Sequence, residues 1–244
     1  MRIIRASEKK KNTHGNRSFQ VNILYPGANL GNVDTGYLTV GRIDHASFRP
    51  PGLVPMHPHQ DDEIFSYIRS GEMVHTDSTG HQEHLDSSYM MLMNAGTGIS
   101  HEERAVSDVE MLQIFMRPSQ NSLPPQVQFS EFENIYSEDV WRLVAGYDAK
   151  APLKLRVQTN IYDIHLLKKS SVTFPDHKIQ NTYLLYCFSG SFKIGDHTIT
   201  KGDSVIVDEN HTLEALSDSD LVLFEIRKDA VYSETGMFSG NRFH

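Results

Sequence analysis

The sequence carries the same pattern of short strands twice. A run at 64–69, a Ser-Gly turn and a second run at 72–75 recur in the second half as 183–188, a Ser-Gly turn and 191–194. A repeat of this length indicates a duplicated domain. Aromatic and β-branched residues fill the runs, and Gly, Asp and Ser form the turns, which is typical of a small barrel or jelly roll.

We therefore predict an all-β fold made of two tandem β-barrel or jelly-roll domains, at residues 1–118 and 119–244. The polar, proline-rich stretch 117–125 is the predicted connection between them. The predicted strands of the first half are 19–24, 37–43, 63–69, 73–76, 89–93 and 109–116.

Two pairs of polar side chains flank the central strands of the first half. His57 and His59 are two residues apart, and so are His101 and Glu103. Since successive side chains of a strand point to opposite faces, the members of each pair point the same way in an extended chain. Closure of a barrel can bring both pairs to one lumen. Three imidazoles and a carboxylate suit a divalent transition metal, and leave two positions of a six-coordinate ion open.

The second half does not repeat these side chains. Asp176 and Lys178 occupy the positions that correspond by spacing to His57 and His59, and the segment 211–213 has no carboxylate. Because a lysine ammonium group repels a cation, we predict that the second domain binds no metal.

Charge and hydropathy narrow the classes of function. The chain has 31 acidic and 23 basic residues and a net charge of −8, which argues against direct contact with nucleic acid or an anionic membrane. The sequence has no run of eighteen apolar residues and no apolar signal segment at its start, so we expect a soluble, cytoplasmic protein. The single cysteine, Cys187, is expected to fill the core.

The motifs around the four candidate ligands resemble those of the pirin family. These motifs are His-Pro-His at 57–59, GEMVHTDSTG at 71–80 and NAGTGISHEE at 94–103, and the resemblance covers most of residues 30–230. It implies a bicupin fold that holds a metal, usually iron, only in the N-terminal barrel. The ligands that it implies are His57, His59, His101 and Glu103.

The resemblance implies two alternative functions. Several pirins are quercetin 2,3-dioxygenases, which open the flavonol heterocycle and release carbon monoxide; others are described as transcriptional coregulators or redox sensors. The first alternative predicts a small flavonol-like substrate and O2 at iron(II), with Ni, Mn, Co, Cu or Zn as other metals, and Glu103 as catalytic base. The second predicts a metal-binding sensor that acts through a protein partner. A roomy apolar pocket beside the metal would favour catalysis, whereas a pocket filled by protein side chains would favour sensing.

Neighbours of the candidate ligands carry further predictions. Bacterial pirins usually have an arginine after His-Pro-His, whereas this chain has Gln60, Asp61 and Asp62, whose carboxylates are expected to disfavour an anionic substrate. Glu63 matches the acidic residue of the family and is expected to orient a ligand imidazole. Three histidines of the following hairpin are expected to be exposed, with a secondary metal role as the alternative: His75, His81 and His84.

Overall fold

The computed structural model describes residues 1–12, 18–26, 34, 36–175 and 178–240, without the side chains of 10–12. Asp176, the predicted counterpart of His57, lies outside these residues. Apart from one 3-10 turn at Ala6–Glu8, the regular elements of the described chain are strands. In chain order they are β1 (Arg2–Ile4), β2 (Lys10–Asn12), β3 (Phe19–Tyr25), β4 (Val40–Phe48), β5 (Leu53–His59), β6 (Glu63–Ser70), β7 (Met73–Asp77), β8 (Gln82–Leu85), β9 (Tyr89–Asn94), β10 (Ile99–Ala105), β11 (Val109–Met116), β12 (Gln126–Glu131), β13 (Arg142–Gly146), β14 (Leu153–Lys154), β15 (Thr159–Leu166), β16 (Ser171–Thr173), β17 (Asn181–Cys187), β18 (Ser191–Ile194), β19 (His197–Thr200), β20 (Ser204–Val207), β21 (Thr212–Ala215) and β22 (Ser219–Arg227).

The chain divides into two compact units. The ligand-bearing unit comprises Lys9–Glu133, Leu155–Val157 and Val231–His244, and the second unit comprises Met1–Glu8, Asn134–Lys154 and Gln158–Ala230. The stretch 117–125 lies within the ligand-bearing unit, because β12 follows it and pairs with β9 of that unit. The assignment of residues 1–118 and 119–244 to two domains stays a prediction.

Each unit contains a seven-stranded and a four-stranded sheet. The orders are β12-β9-β6-β11-β4-β3-β2 and β5-β10-β7-β8 in the ligand-bearing unit, and β1-β20-β17-β22-β15-β13-β14 and β16-β21-β18-β19 in the second. Among the strands that the structure describes, all pairs are antiparallel except β13 with β14. This repeated two-sheet architecture confirms the predicted all-β fold with a duplicated barrel or jelly-roll unit.

Strands at the centre of the larger sheets form the cores. In β6, which lies between β9 and β11, every residue except the last is buried. β17 is buried along its whole length and includes Cys187, as predicted. Both faces of these strands are buried because each face packs against other protein atoms. None of the described helices is long and apolar enough to cross a membrane.

The predicted strands agree closely with the observed ones at 19–24, 63–69, 73–76, 89–93 and 109–116. The strand predicted at 37–43 begins only at Val40, because the backbones of Tyr37 and Val40 hydrogen-bond to each other in both directions and close a tight turn. Leu38, within that turn, has a φ of 51°, which an extended strand does not allow.

Candidate metal centre

The four predicted ligands lie on two neighbouring strands. β10 pairs antiparallel with β5 and places His101 directly opposite His57, with a register shift between His101 and Glu103. Potential ligand atoms of His57, His59 and His101 lie within 4.8 Å of one another. Potential ligand atoms of Glu103, His101 and His75 also lie within 4.8 Å of one another, in a second group. Strand pairing thus brings the three predicted imidazoles into one cluster, which we call the imidazole cluster, with Glu103 beside it.

Two imidazoles of the cluster are held through their Nδ1 atoms. His57 Nδ1 lies 2.9 Å from the carbonyl oxygen of Pro55, and His59 Nδ1 lies 3.2 Å from the carboxylate of Asp62. A carbonyl and a carboxylate oxygen can only accept, so each Nδ1 carries the proton and donates it. In the neutral form of each ring, Nε2 then keeps a lone pair, and this is the form in which histidine binds a metal.

The Nε2 atoms of His57 and His59 face each other at 3.0 Å. Two unprotonated nitrogens repel at this distance, but two ligands about 2.1 Å from one ion and at right angles to each other are also about 3.0 Å apart. His101 Nε2 and Glu103 Oε1 are buried without a hydrogen-bond partner among the described residues. A buried polar atom without a partner costs about 1–3 kcal/mol. A divalent cation would satisfy the imidazole nitrogens, so the imidazole cluster fits a metal. Glu103 shares a cluster with His101 and His75 but not with His57 and His59, so its part as fourth ligand stays a prediction.

Burial sets the protonation of these groups. It lowers the pKa of His57, although the hydrogen bond to Pro55 opposes the shift. Burial and the neighbouring imidazoles lower the pKa of His101 well below its ordinary value. Burial raises the pKa of Glu103 to about 7, while a hydrogen bond from Gln113 lowers it. Neutral imidazoles can bind a cation directly, and a cation beside Glu103 would stabilise its charged form.

A cavity of about 270 Å³ opens beside the imidazole cluster. β11 contributes alternate side chains to its wall, because residues two apart on a strand share a face. The volume lies just below the usual range for ligand pockets, roughly 300–1,000 Å³. Besides the four predicted ligands, the lining consists of Phe19, Arg42, Asp44, Ala46, Val54, Met111, Gln113, Phe115 and Phe238. The wall is thus rich in apolar and aromatic side chains, with few polar groups.

Residues 231–240 return to this cavity. The ring of Phe238 lies 4.7 Å from the ring of His59 and 5.5 Å from that of Phe115, between centroids. The backbone N–H groups of Phe238 and Ser239 and the hydroxyl of Ser239 donate to the Asp62 carboxylate at 2.7–3.2 Å. Asp62 therefore links this segment to the imidazole of His59.

Comparison with known proteins assigns the chain to a family. Residues 32–116 match the Pirin family, and residues 143–226 match the quercetinase C-terminal cupin domain. A Zymomonas mobilis protein provisionally named quercetin 2,3-dioxygenase is 31% identical over 174 residues, which are 69% of this chain and 74% of that protein. The chain belongs to the pirin family.

Two further comparisons, one of sequence and one of structure, involve proteins of Escherichia coli. The quercetin 2,3-dioxygenase of Escherichia coli K12 is 29% identical to this pirin over 178 residues, which cover 70% of this chain and 74% of that protein. The structure of the bacterial pirin YhhW from Escherichia coli in complex with nickel(II) superposes with a TM-score of 0.81. It is 24% identical, and the match covers 93% of this chain and 98% of that one.

The acidic residues after His59 do not have the predicted roles. The prediction that Glu63 orients a ligand is wrong: its carboxylate accepts from Asn94 Nδ2 at 2.9 Å and from the Arg156 N–H at 2.8 Å. Asp62 holds His59 instead. Asp61 is also buried and accepts from the Ser122 N–H and the Thr235 hydroxyl. Neither aspartate lines the cavity, so the structure gives no basis for the predicted repulsion of an anionic substrate.

The prediction that His75 is exposed is also wrong. Its ring is fully buried, because β7 lies between β10 and β8 and turns this side chain toward His101. His84 is exposed, with 66% of its side-chain surface accessible, whereas His81 is half-buried, with 40% of its side-chain surface accessible. The spacing of His75 and Asp77, which repeats that of His57 and His59, is the signal that could have identified His75.

Glu63 is expected to make the stability of this pirin depend on pH. Burial raises the pKa of its carboxyl from 4.5 to about 7, against hydrogen bonds from Arg156 and Asn94 that lower it. Because the native state then binds this proton more tightly than the unfolded chain, the free energy of unfolding falls as the pH rises from about 4.5 to about 7. Glu63→Gln cannot titrate, so its unfolding free energy relative to wild type should rise by about 3 kcal/mol across this range. Denaturant unfolding at several pH values measures this difference in unfolding free energy. A difference that stays constant between pH 4.5 and about 7 would contradict the prediction.

Proposed function

We propose that this pirin is a metal-dependent dioxygenase that cleaves flavonols such as quercetin. One divalent transition metal would be held by His57, His59, His101 and Glu103. The observation that carries the proposal is the convergence on one cavity of three imidazole rings and of a carboxylate oxygen that has no hydrogen-bond partner among the described residues. The names of the relatives support the reaction type.

The metal that we propose is iron(II), on the basis of the pirin resemblance. Nickel(II) deserves a direct comparison, because the structure of the Escherichia coli pirin YhhW is a nickel(II) complex. A bound ion would supply Lewis-acid activation and a template for the substrate oxygens and O2. We place the metal in the domain at 1–118 and none in the domain at 119–244.

The side chains around the cavity would bind and orient the substrate. Phe115, Phe238 and Met111 offer apolar contacts to an aromatic ring system and keep water from it. Arg42 donates two hydrogen bonds to Asp44 in the same wall, so its charge is balanced within the protein. Glu103, whose Oε1 has no hydrogen-bond partner among the described residues, would either stay a ligand of the ion or take the proton of a flavonol hydroxyl group as general base.

The volume of the cavity favours a second candidate function. At about 270 Å³, with Phe238 packed against His59, the cavity leaves limited space beside the metal. A metal-binding redox sensor or regulator that acts through a protein partner would need no larger space beside the metal, because it binds no flavonol. Direct contact with nucleic acid or a membrane is no part of either proposal.

Turnover with defined metals distinguishes the two functions. We expect the purified protein, stripped of metal and reloaded with Fe, Ni, Mn, Co or Cu, to consume quercetin and release carbon monoxide with at least one ion. His101→Ala should lower that rate about 100-fold or more, because it removes a ligand of the ion. Tight binding of a metal without turnover for any of these ions would reject the dioxygenase and support the sensor.

A further inference from the structure

We propose that His75 and Asp77 form a hydrogen-bonded relay that sets the tautomer of His101 and so presents its Nε2 atom to the metal. His75 and Asp77 are positioning residues in this proposal, since they act through His101. The inference rests on the proposed metal site, but it does not require dioxygenase activity.

The three side chains form a buried chain of contacts. His75 Nε2 lies 2.9 Å from the Asp77 carboxylate, and His75 Nδ1 lies 3.4 Å from His101 Nδ1. The side chains of His75 and Asp77 are fully buried, and His101 is 1% exposed. No water competes for these hydrogen bonds, so the protein atoms alone decide where the protons lie.

Asp77 determines the direction of the relay. Burial raises the pKa of Asp77, but hydrogen bonds from Thr79, His75 and His81 outweigh it and hold the pKa at about 2. Asp77 is therefore an ionised carboxylate that can only accept. His75 therefore donates to it from Nε2, and a neutral imidazole that carries its proton on Nε2 has its lone pair on Nδ1.

The position of the proton on His101 follows from these two hydrogen bonds. Because His75 Nδ1 is an acceptor, the His101 Nδ1 that faces it is the donor. His101 then has its lone pair on Nε2, the buried atom without a hydrogen-bond partner among the described residues. The relay thus gives His101 the tautomer that Pro55 and Asp62 give to His57 and His59.

His75 has a competing role as a metal ligand. It forms a second cluster with His101 and Glu103, in which potential ligand atoms lie within 4.8 Å. Both nitrogens of His75 already have partners, however: Asp77 at Nε2 and His101 at Nδ1. A neutral imidazole with both nitrogens engaged has no lone pair left for an ion, which favours the relay.

Two variants disrupt the relay, a third restores its acceptor, and a fourth serves as a control. Asp77→Asn keeps the size of the side chain but can present an N–H₂ group to His75 Nε2, which reverses both hydrogen bonds and moves the His101 proton to Nε2. His75→Phe removes the acceptor while keeping a ring. In His75→Asn, the amide oxygen can replace Nδ1 as the acceptor. His84→Phe, at an exposed histidine on β8, is the matched control.

The test measures tautomer and metal affinity together. Nitrogen NMR of the metal-free protein with labelled histidine should report a proton on His101 Nδ1 in wild type and on Nε2 in Asp77→Asn. Competition with a chelator should show cobalt(II) or iron(II) binding weakened about 10- to 100-fold in Asp77→Asn and His75→Phe. His75→Asn should recover most of the affinity, and His84→Phe should match wild type.

Three results would overturn the relay. These are wild-type tautomer and affinity in Asp77→Asn, complete loss of metal from His75→Asn as from a ligand variant, and no metal in wild type. Only the last also removes the proposed metal site. Metal binding without quercetin turnover would reject the dioxygenase and leave the relay supported by its own readouts. Thermal unfolding of each metal-free variant identifies one that fails to fold, and the other relay variant then decides.

Discussion

Replacing His57 with alanine is expected to remove the bound transition metal from this pirin. The substitution deletes one of two Nε2 atoms that face each other at 3.0 Å and leaves His59 and His101 without the third imidazole. Loss of a direct ligand should cost at least as much as loss of a group that orients one, about 100-fold in affinity. Because His57 is only partly buried, the variant should fold normally.

Metal analysis of protein purified without chelator measures this effect. Wild type should contain about one equivalent of a transition metal, and the His57→Ala variant should lose it even after incubation with iron or nickel. His84→Ala, which removes an exposed histidine of the same four-stranded sheet, should retain the metal. Full metal content in His57→Ala would show that the ion lies elsewhere, with the cluster of His75, His101 and Glu103 as the next site to test.

Replacing Asp62 with alanine is expected to destabilise the ligand-bearing unit by about 3–5 kcal/mol, because each buried donor that is left without an acceptor costs about 1–3 kcal/mol. The carboxylate is fully buried and accepts hydrogen bonds from Phe238, Ser239 and His59. Without it, these donors lose their acceptor in a place that water does not reach. We also expect residues 231–240 to detach and His59 to lose its orientation.

Calorimetry and limited proteolysis check these effects. The Asp62→Ala variant should unfold at a lower temperature and be cleaved within 231–240 under conditions in which wild type is resistant. Asp229→Ala is the control, because Asp229 is exposed and its ion pair with Arg227 lies at the surface, where such pairs contribute little. An unchanged cleavage pattern in Asp62→Ala would mean that other contacts hold the segment.

The sequence predicted those parts of the fold that depend on local alternation. β11 has the predicted bounds, Val109–Met116, because its apolar residues fit a buried strand whatever its neighbours are. Pro58 was not an obstacle to a strand at His57 and His59, since β5 is an edge strand of the four-stranded sheet and proline is tolerated there. The same period of two placed the members of each ligand pair on one face.

Contacts between distant residues were decided only by the tertiary structure. Asp62 and Ser239 are 177 residues apart, and Glu63 and Arg156 are 93 apart. The sequence around Asp62 and Glu63 therefore could not show which carboxylate orients His59. His75 looks like a hairpin residue in its local sequence, and only the pairing of β7 with β10 buries it beside His101. The sequence by itself determined which side chains could bind a metal, because side-chain direction along a strand is local; the tertiary structure decided which partners hold them, because hydrogen bonds form between neighbours in space.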